Sequence, residues 1–159
     1  MDFMQAVAAK GQPEKTFEAL AELVSQTIGA KLFTTMAIHH DRGVVVRNYS
    51  NMPDAYPVSG EKDLKKDRWS DLVQGQHKTF VANSIEEIAS VFPDYELIQS
   101  LGCESCINIP VTIDGEVVGT LNCLHDAGYY TAERVEAANA LKLPGAVAFL
   151  LNAIHTKGA

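Results

Sequence analysis

Apolar positions change rhythm several times along the chain, and each change marks an element. Phe17, Leu20, Ala21, Val24 and Ile28 fall at i, i+3, i+4, i+7 and i+11, between Pro13 and Gly29. That spacing puts side chains on one helical face and predicts a helix over 14–28. "KLFTTMAIHH", the turn "DRG" and "VVVRNYS" follow, and their β-forming residues predict strand, tight turn, strand. Asn51 to Lys66 holds Pro53, Pro57 and Gly60 and reads as a long, partly structured loop of the kind that often borders a ligand site. Trp69 to Gly75 is expected as a short helix and "KTFVA" as a short strand. In "NSIEEIASVF", Ser84 and Glu87 have the spacing of a capping box. Asp94 is placed to cap a further helix, "YELIQSLG", ending at Gly102.

The clearest signal is "SCINIPVTI", "DG", "EVVGTLNCLH": two apolar runs joined by Asp-Gly, a strong hairpin pattern. Thr131 is placed to cap a last helix, "AERVEAANALKL", which Pro144 kinks or restarts. The order is α, ββ, small helices with β, ββ, α. Hairpins call for an antiparallel sheet, with the two amphipathic terminal helices on one face and the middle segment and long loop on the other. The fold class is therefore α+β, read as a single domain over 1–159.

Composition narrows the function classes. The chain has 159 residues, 47% hydrophobic and 21% charged, which suits an ordinary globular domain with a core of its own. A formal net charge of −7, scattered along the chain, argues against a nucleic-acid partner. "MDFMQAVAAKG" has no basic region followed by a long apolar run, so no signal peptide is read. "LPGAVAFLLNAI" reads as too short for a membrane span and as interrupted by Pro144 and Gly145. Cytoplasmic localisation is expected. Three cysteines, Cys103, Cys106 and Cys123, suit free thiols better than a disulfide framework.

The stretch "LGCESCINIPVTIDGEVVGTLNCLH" resembles the signature hairpin of GAF domains, and element order and length extend the resemblance over nearly the whole chain. The resemblance implies a six-stranded or near six-stranded antiparallel sheet and terminal helices that pack on one face and often dimerise. It also implies a small-molecule pocket on the other face. Most GAF domains sit beside an output domain. This chain leaves no room for one, so a separate output protein is expected. The family also includes an enzyme, free methionine-(R)-sulfoxide reductase. Its substrate-holding carboxylates correspond here to Cys106, Asn122 and Leu124, so the pattern is not matched, and Cys103 lies outside the catalytic cysteine's context. The cyclic-nucleotide motif and a bilin-attachment context are also missing.

Each candidate site has a plainer counterpart. Cys103 and Cys106 form a C-x-x-C. Redox motifs of this type sit at helix N-termini, where the dipole lowers the thiol pKa. Here the pair follows a helix end and enters a strand, which favours buried structural thiols. No second C-x-x-C or suitable histidine spacing completes a zinc site, so no metal is expected. With a two-residue turn, Ile113 pairs with Glu116, and counting on sets Cys106 opposite Cys123. A bulge near Pro110 would shift the partner to Asn122 or Leu124. His39 and His40 are adjacent on a strand and point to opposite faces. His125 ends the last strand, within reach of a pocket or simply solvated.

Tyr56, Trp69, Phe92 and Tyr95 fall in segments that would cover the second face, as ligand walls or as filling. Asn108 and Asn122 sit inside apolar strands and need partners, which a ligand or the protein itself could supply. No Ser-His-Asp order, P-loop or dinucleotide fingerprint is present. The sequence thus reads as a GAF-like sensory or regulatory domain binding an unidentified small molecule, working as a homodimer through its terminal helices. The ligand site would be Tyr56, Trp69, Cys106, Asn108, Asn122 and His125. Enzymatic activity is left uncertain and weighed below binding. A thiol-dependent reductase using Cys103, Cys106 and Cys123, or a cysteine redox sensor, is the alternative. No cofactor is identified.

Overall fold

The computed structural model describes residues 1–156. It contains α1 (Phe3–Ala8), α2 (Glu14–Thr27), β1 (Leu32–His39), β2 (Val44–Ser50), β3 (Glu61–Asp63) and α3 (Arg68–Ser70), which continues as a wide π-turn over Asp71–Gly75. There follow β4 (Phe80–Ala82), α4 (Ile85–Ala89), α5 (Tyr95–Ser100), β5 (Ser105–Ile113) and β6 (Glu116–His125). α6 (Ala132–Ala137), a 3-10 turn (Ala138–Leu141) and α7 (Lys142–Thr156) complete it. Two elements fall outside the sequence expectation. β3 lies within the loop expected over 51–66. α1 is started by a capping box in which Asp2 accepts from the Gln5 amide and the Gln5 side chain accepts from the Asp2 amide.

The six strands form one antiparallel sheet in the order β3-β2-β1-β6-β5-β4. β5 and β6 are joined at Asp114-Gly115, both with positive φ (51° and 77°), the two-residue turn whose twist matches that of the flanking strands. Ile113 pairs with Glu116 as expected, but a bulge between Val111 and Thr112 shifts every later pair. Cys106 therefore faces Leu124, Ile107 faces Cys123 and Asn108 faces Asn122. The straight count to Cys123 is corrected by that one extra residue.

Both faces of β5 are covered, and nearly every one of its positions is buried. On one face Ile107, Ile109, Leu121 and Cys123 meet Phe17, Leu20 and Val24 of α2 and Ala148 and Phe149 of α7. On the other, Leu32, Cys106 and Leu124 meet Val73, Ile88 and Ile98 from the middle segment, with Tyr56 from the long loop. A Cβ at Gly119 in β6 would stand 2.4 Å from the Phe149 ring and 2.7 Å from the Met36 carbonyl oxygen. Glycine there lets α7 lie flat on the sheet.

The late helical segment is longer than the sequence suggested. Pro144 sits in the first turn of α7, just after the 3-10 turn, a place in a helix that proline tolerates. The helical run Ala132–Thr156 spans 25 residues, long and apolar enough by length and composition to cross a membrane. Ala138, Leu141, Gly145, Ala148 and Phe149 from this run are buried in the domain itself, as in the core helix of a globular protein.

Candidate ligand cavity and the cysteines

A cavity of about 320 Å³ lies on the sheet face away from α2 and α7. Its floor is the middle of the sheet: Thr34 and Met36 from β1, Asn122 and Leu124 from β6, Cys106 and Asn108 from β5. Two-residue alternation places these side chains on one face. The walls are Trp69, Val91, Phe92 and Ile98 on one side and Tyr56 with Arg47 on the other. Trp69, Phe92 and Phe80 meet edge to face in series, with centroids 6.5 and 6.1 Å apart, an arrangement aromatic rings favour.

A polar ladder crosses the floor. The Trp69 indole N–H donates to Asn108 Oδ1 (2.9 Å), Asn108 Nδ2 donates to Asn122 Oδ1 (2.8 Å), and Asn122 Nδ2 donates to Thr34 Oγ1 (3.3 Å). The ladder answers the question of the buried amides, which satisfy each other and fix the indole. Trp69 is held from behind by a capping box at α3. Asp67 accepts from the Ser70 amide, and the Ser70 hydroxyl accepts from the Asp67 amide.

At the other wall the Tyr56 hydroxyl donates to the Asp94 carboxylate. Burial, then that carboxylate, hold the phenol well above its ordinary pKa. Asp94 thus spends its side chain on Tyr56 and makes no side-chain cap for α5, which corrects the capping expectation. At α4 the Ser84 hydroxyl does accept from the Glu87 amide, but the Glu87 carboxylate takes the Asn83 amide, so the box there is half formed.

Five of the six residues proposed from sequence, Tyr56, Trp69, Cys106, Asn108 and Asn122, line this cavity. His125 does not. It stacks flat on Tyr129 at 3.5 Å, beside Asp126 at the end of the sheet. A strand-end residue with an aromatic neighbour in the next loop is drawn there instead. Arg47, Met36 and Thr34 were missed. Arg47 had a legible signal, a charge inside "VVVRNYS" at the same parity as Val45. A bulge between Thr35 and Met36 sets Met36 opposite Arg47 and Thr35 opposite Tyr49. Arg47 consequently lines the cavity, while Tyr49, two residues on, stacks on Phe17 under the helices at 6.1 Å.

The cysteines separate. Cys103 and Cys106 pack on the cavity face, Cys123 on the helix face, and all three are free and buried. A Cys106–Cys123 contact is thereby ruled out, since the sheet lies between them. Burial pushes the Cys106 thiol up to about 12 and raises Cys103 and Cys123 as well, so none carries a thiolate at neutral pH. We expect iodoacetamide at neutral pH to leave all three thiols of the folded protein unmodified and to label all three in denaturant, counted by mass. Rapid labelling of two thiols in the folded state would contradict this. Among the described residues no cluster of His, Cys, Asp and Glu could hold a metal ion. His40, expected on a strand face, lies just beyond β1 with Nε2 at the Val117 carbonyl (2.8 Å).

Comparison with known proteins now places the chain. Residues 11–148 match the GAF domain family. The chain belongs to that family. No curated protein matches it. Among solved structures it is similar to the GAF domain of a two-component sensor histidine kinase from Bacillus halodurans, at 13% identity and a TM-score of 0.68, over 95% of this chain and 100% of that one. It is also similar to the GAF domain of a phosphoenolpyruvate-protein phosphotransferase from Coxiella burnetii, at 16% identity and a TM-score of 0.66, over 99% of this chain and 93% of that one. A third is the chromophore-binding domain of a bacteriophytochrome from R. palustris, at 10% identity and a TM-score of 0.66, over 99% of this chain and 61% of that one. At these identities the likeness is one of GAF fold. It agrees with the six-stranded sheet and flanking helices.

Proposed function

We propose that this GAF domain is a cytoplasmic small-molecule sensor whose ligand enters the cavity on the sheet face away from α2 and α7. The observation that carries the reading is the cavity itself: aromatic walls, an apolar body and a fixed ladder of amides, the usual make-up of a small-ligand site. Cys106, Asn108 and Asn122 form its floor and Tyr56 and Trp69 its walls. Solved relatives in fold come from signalling proteins, and one is the chromophore-binding domain of a bacteriophytochrome.

The signal would leave through the helical layer to a second protein. α7 presents Leu143, Val147, Leu150 and Ile154 at spacings of four, three and four, the seam of a helix pair. Leu143, Leu150 and Ile154 are 75%, 50% and 67% exposed. A second copy of this chain is the occupant we propose for that seam. Native mass spectrometry tests both halves of the reading: a dimer is expected, with a bound small molecule in each chain. A bare monomer would overturn it. The alternative, a thiol-dependent reductase or redox sensor, needs an accessible thiolate, which burial of all three cysteines disfavours.

A further inference from the structure

The cavity carries unspent hydrogen-bond donors, and the strongest is Arg47. Arg42 pairs with Glu61 at 2.7 Å. Arg47, by contrast, has no carboxylate within ion-pair distance among the described residues. Its guanidinium makes one contact, to the Pro57 carbonyl oxygen at 3.2 Å, and lies over the Tyr56 ring at 4.9 Å. Arg68 and Arg134 also lack carboxylates, but neither lines this cavity. The acid that faces Arg47 across Tyr56 is Asp94, and its carboxylate already accepts the Tyr56 hydroxyl. Burial lowers the Arg47 pKa, the mark of a cation with too little compensation.

The rest of the lining points the same way. The Thr34 hydroxyl accepts from Asn122, which leaves its own O–H to donate. Asn108 and Asn122 each spend one amide hydrogen and one oxygen site on the ladder. Lys62 and Lys65 stand at the mouth, and both lack ion-pair partners among the described residues. The lining also carries three carboxylates, Asp63, Asp67 and Asp94, of which Asp67 is engaged in capping α3 and Asp94 in holding the Tyr56 hydroxyl. Opposite Arg47, Trp69, Phe92 and Ile98 form an apolar wall, with Leu124 of the floor beneath it. A guanidinium binds a carboxylate through two parallel, charge-assisted N–H···O bonds, stronger than those it makes to a neutral acceptor.

We propose that the cavity selects a small amphipathic carboxylic acid, with its carboxylate on Arg47 and its apolar body against Trp69, Phe92 and Leu124. A volume of about 320 Å³ is at the small end for ligand pockets and suits one ring or a short chain. The proposal rests on the reading of this cavity as the ligand site. It goes further by assigning the chemical class of the ligand and the residue that selects it.

The probes are 4-phenylbutyrate and its neutral isostere 4-phenylbutyramide, which share an apolar body and differ in charge. Trp69 is the one tryptophan of the chain, so its fluorescence reports cavity occupancy, with calorimetry as a second readout. The acid is expected to bind the wild-type protein at least about tenfold more tightly than the amide, as charge-assisted hydrogen bonds require. Arg47→Gln should bring the acid down to the level of the amide, and Arg47→Lys should keep part of the preference. Equal binding of acid and amide to the wild type would overturn the charge selection and leave the cavity reading standing. A preference that persists in Arg47→Gln would overturn the assignment to Arg47. Binding of neither probe to the wild type would overturn both this inference and the cavity reading. The wild-type comparison decides the charge question even where a variant fails to fold.

Discussion

Replacing Phe149 by alanine should remove about 3–5 kcal/mol of folding stability, the usual cost of deleting a buried aromatic ring. Phe149 is 5% exposed and is the side chain by which α7 grips the sheet. Its ring meets Phe17 of α2 edge to face, with centroids 6.2 Å apart, and lies over Gly119 of β6. One residue thus joins both terminal helices to the central strands. Gly119→Ala should cost about 1–3 kcal/mol as an overpacked contact. That cost should shrink in the Phe149→Ala background, because the atoms it meets first belong to the ring. Urea unfolding of the two single variants and the double variant measures the coupling. Independent, additive effects would mean that the clash with the Met36 carbonyl oxygen, and not with the ring, sets the cost of a side chain at Gly119.

The second large effect is expected at Asn108, the middle of the polar ladder. Asn108→Ala removes the acceptor of the Trp69 indole N–H and the donor to Asn122 Oδ1 together. Asn108 is buried, and the groups it leaves behind, on Trp69 and Asn122, are half-buried at the cavity floor, where water replaces the lost partners only in part. Each buried group left without a partner costs about 1–3 kcal/mol, and a loss of roughly 2–4 kcal/mol is expected. The same change frees the indole that forms one cavity wall. The fluorescence maximum of Trp69 should move to longer wavelength, and affinity for any cavity ligand should fall. An unchanged maximum together with unchanged stability would show that the ladder does not position Trp69.

The fold was legible where local chemistry decides it. The Asp-Gly hairpin, the α2 face from Phe17 to Val24, and Thr131 as a helix cap all reappear in the structure, because turn geometry, helical spacing and capping act over a few residues. Register was less legible. The β5–β6 bulge between Val111 and Thr112 changes the partner of Cys106 from Cys123 to Leu124, and nothing in the local apolar pattern marks which strand takes the extra residue. On the cavity floor, Asn108 and Asn122 were legible as amides inside apolar strands that need partners, and Cys106 through its correspondence to a substrate-holding carboxylate in the resembling enzyme. Tyr56 and Trp69 were found from their segments, since aromatic residues beside a long loop have one open sheet face to cover.

Arg47 escaped notice because its place depends on the second bulge, between Thr35 and Met36, together with the path of the loop carrying Tyr56 and Pro57. His125 was misplaced for a similar reason. The loop after β6 returns Tyr129 onto its ring, a tertiary contact that no spacing announces. Asp94 had the right residue type for a helix cap, but the hydroxyl of Tyr56, distant in sequence, claimed its carboxylate.

The central claim is that the cavity between the sheet and the middle segment holds a small molecule. Native mass spectrometry of the protein after equilibration with a small-molecule cell extract tests it most directly, with Leu124→Trp, which fills the cavity floor, as the control. The account predicts a wild-type dimer carrying one small molecule per chain, released on denaturation, and no adduct on the Leu124→Trp protein. A wild-type protein that stays bare, or the same adduct on both proteins, would contradict it.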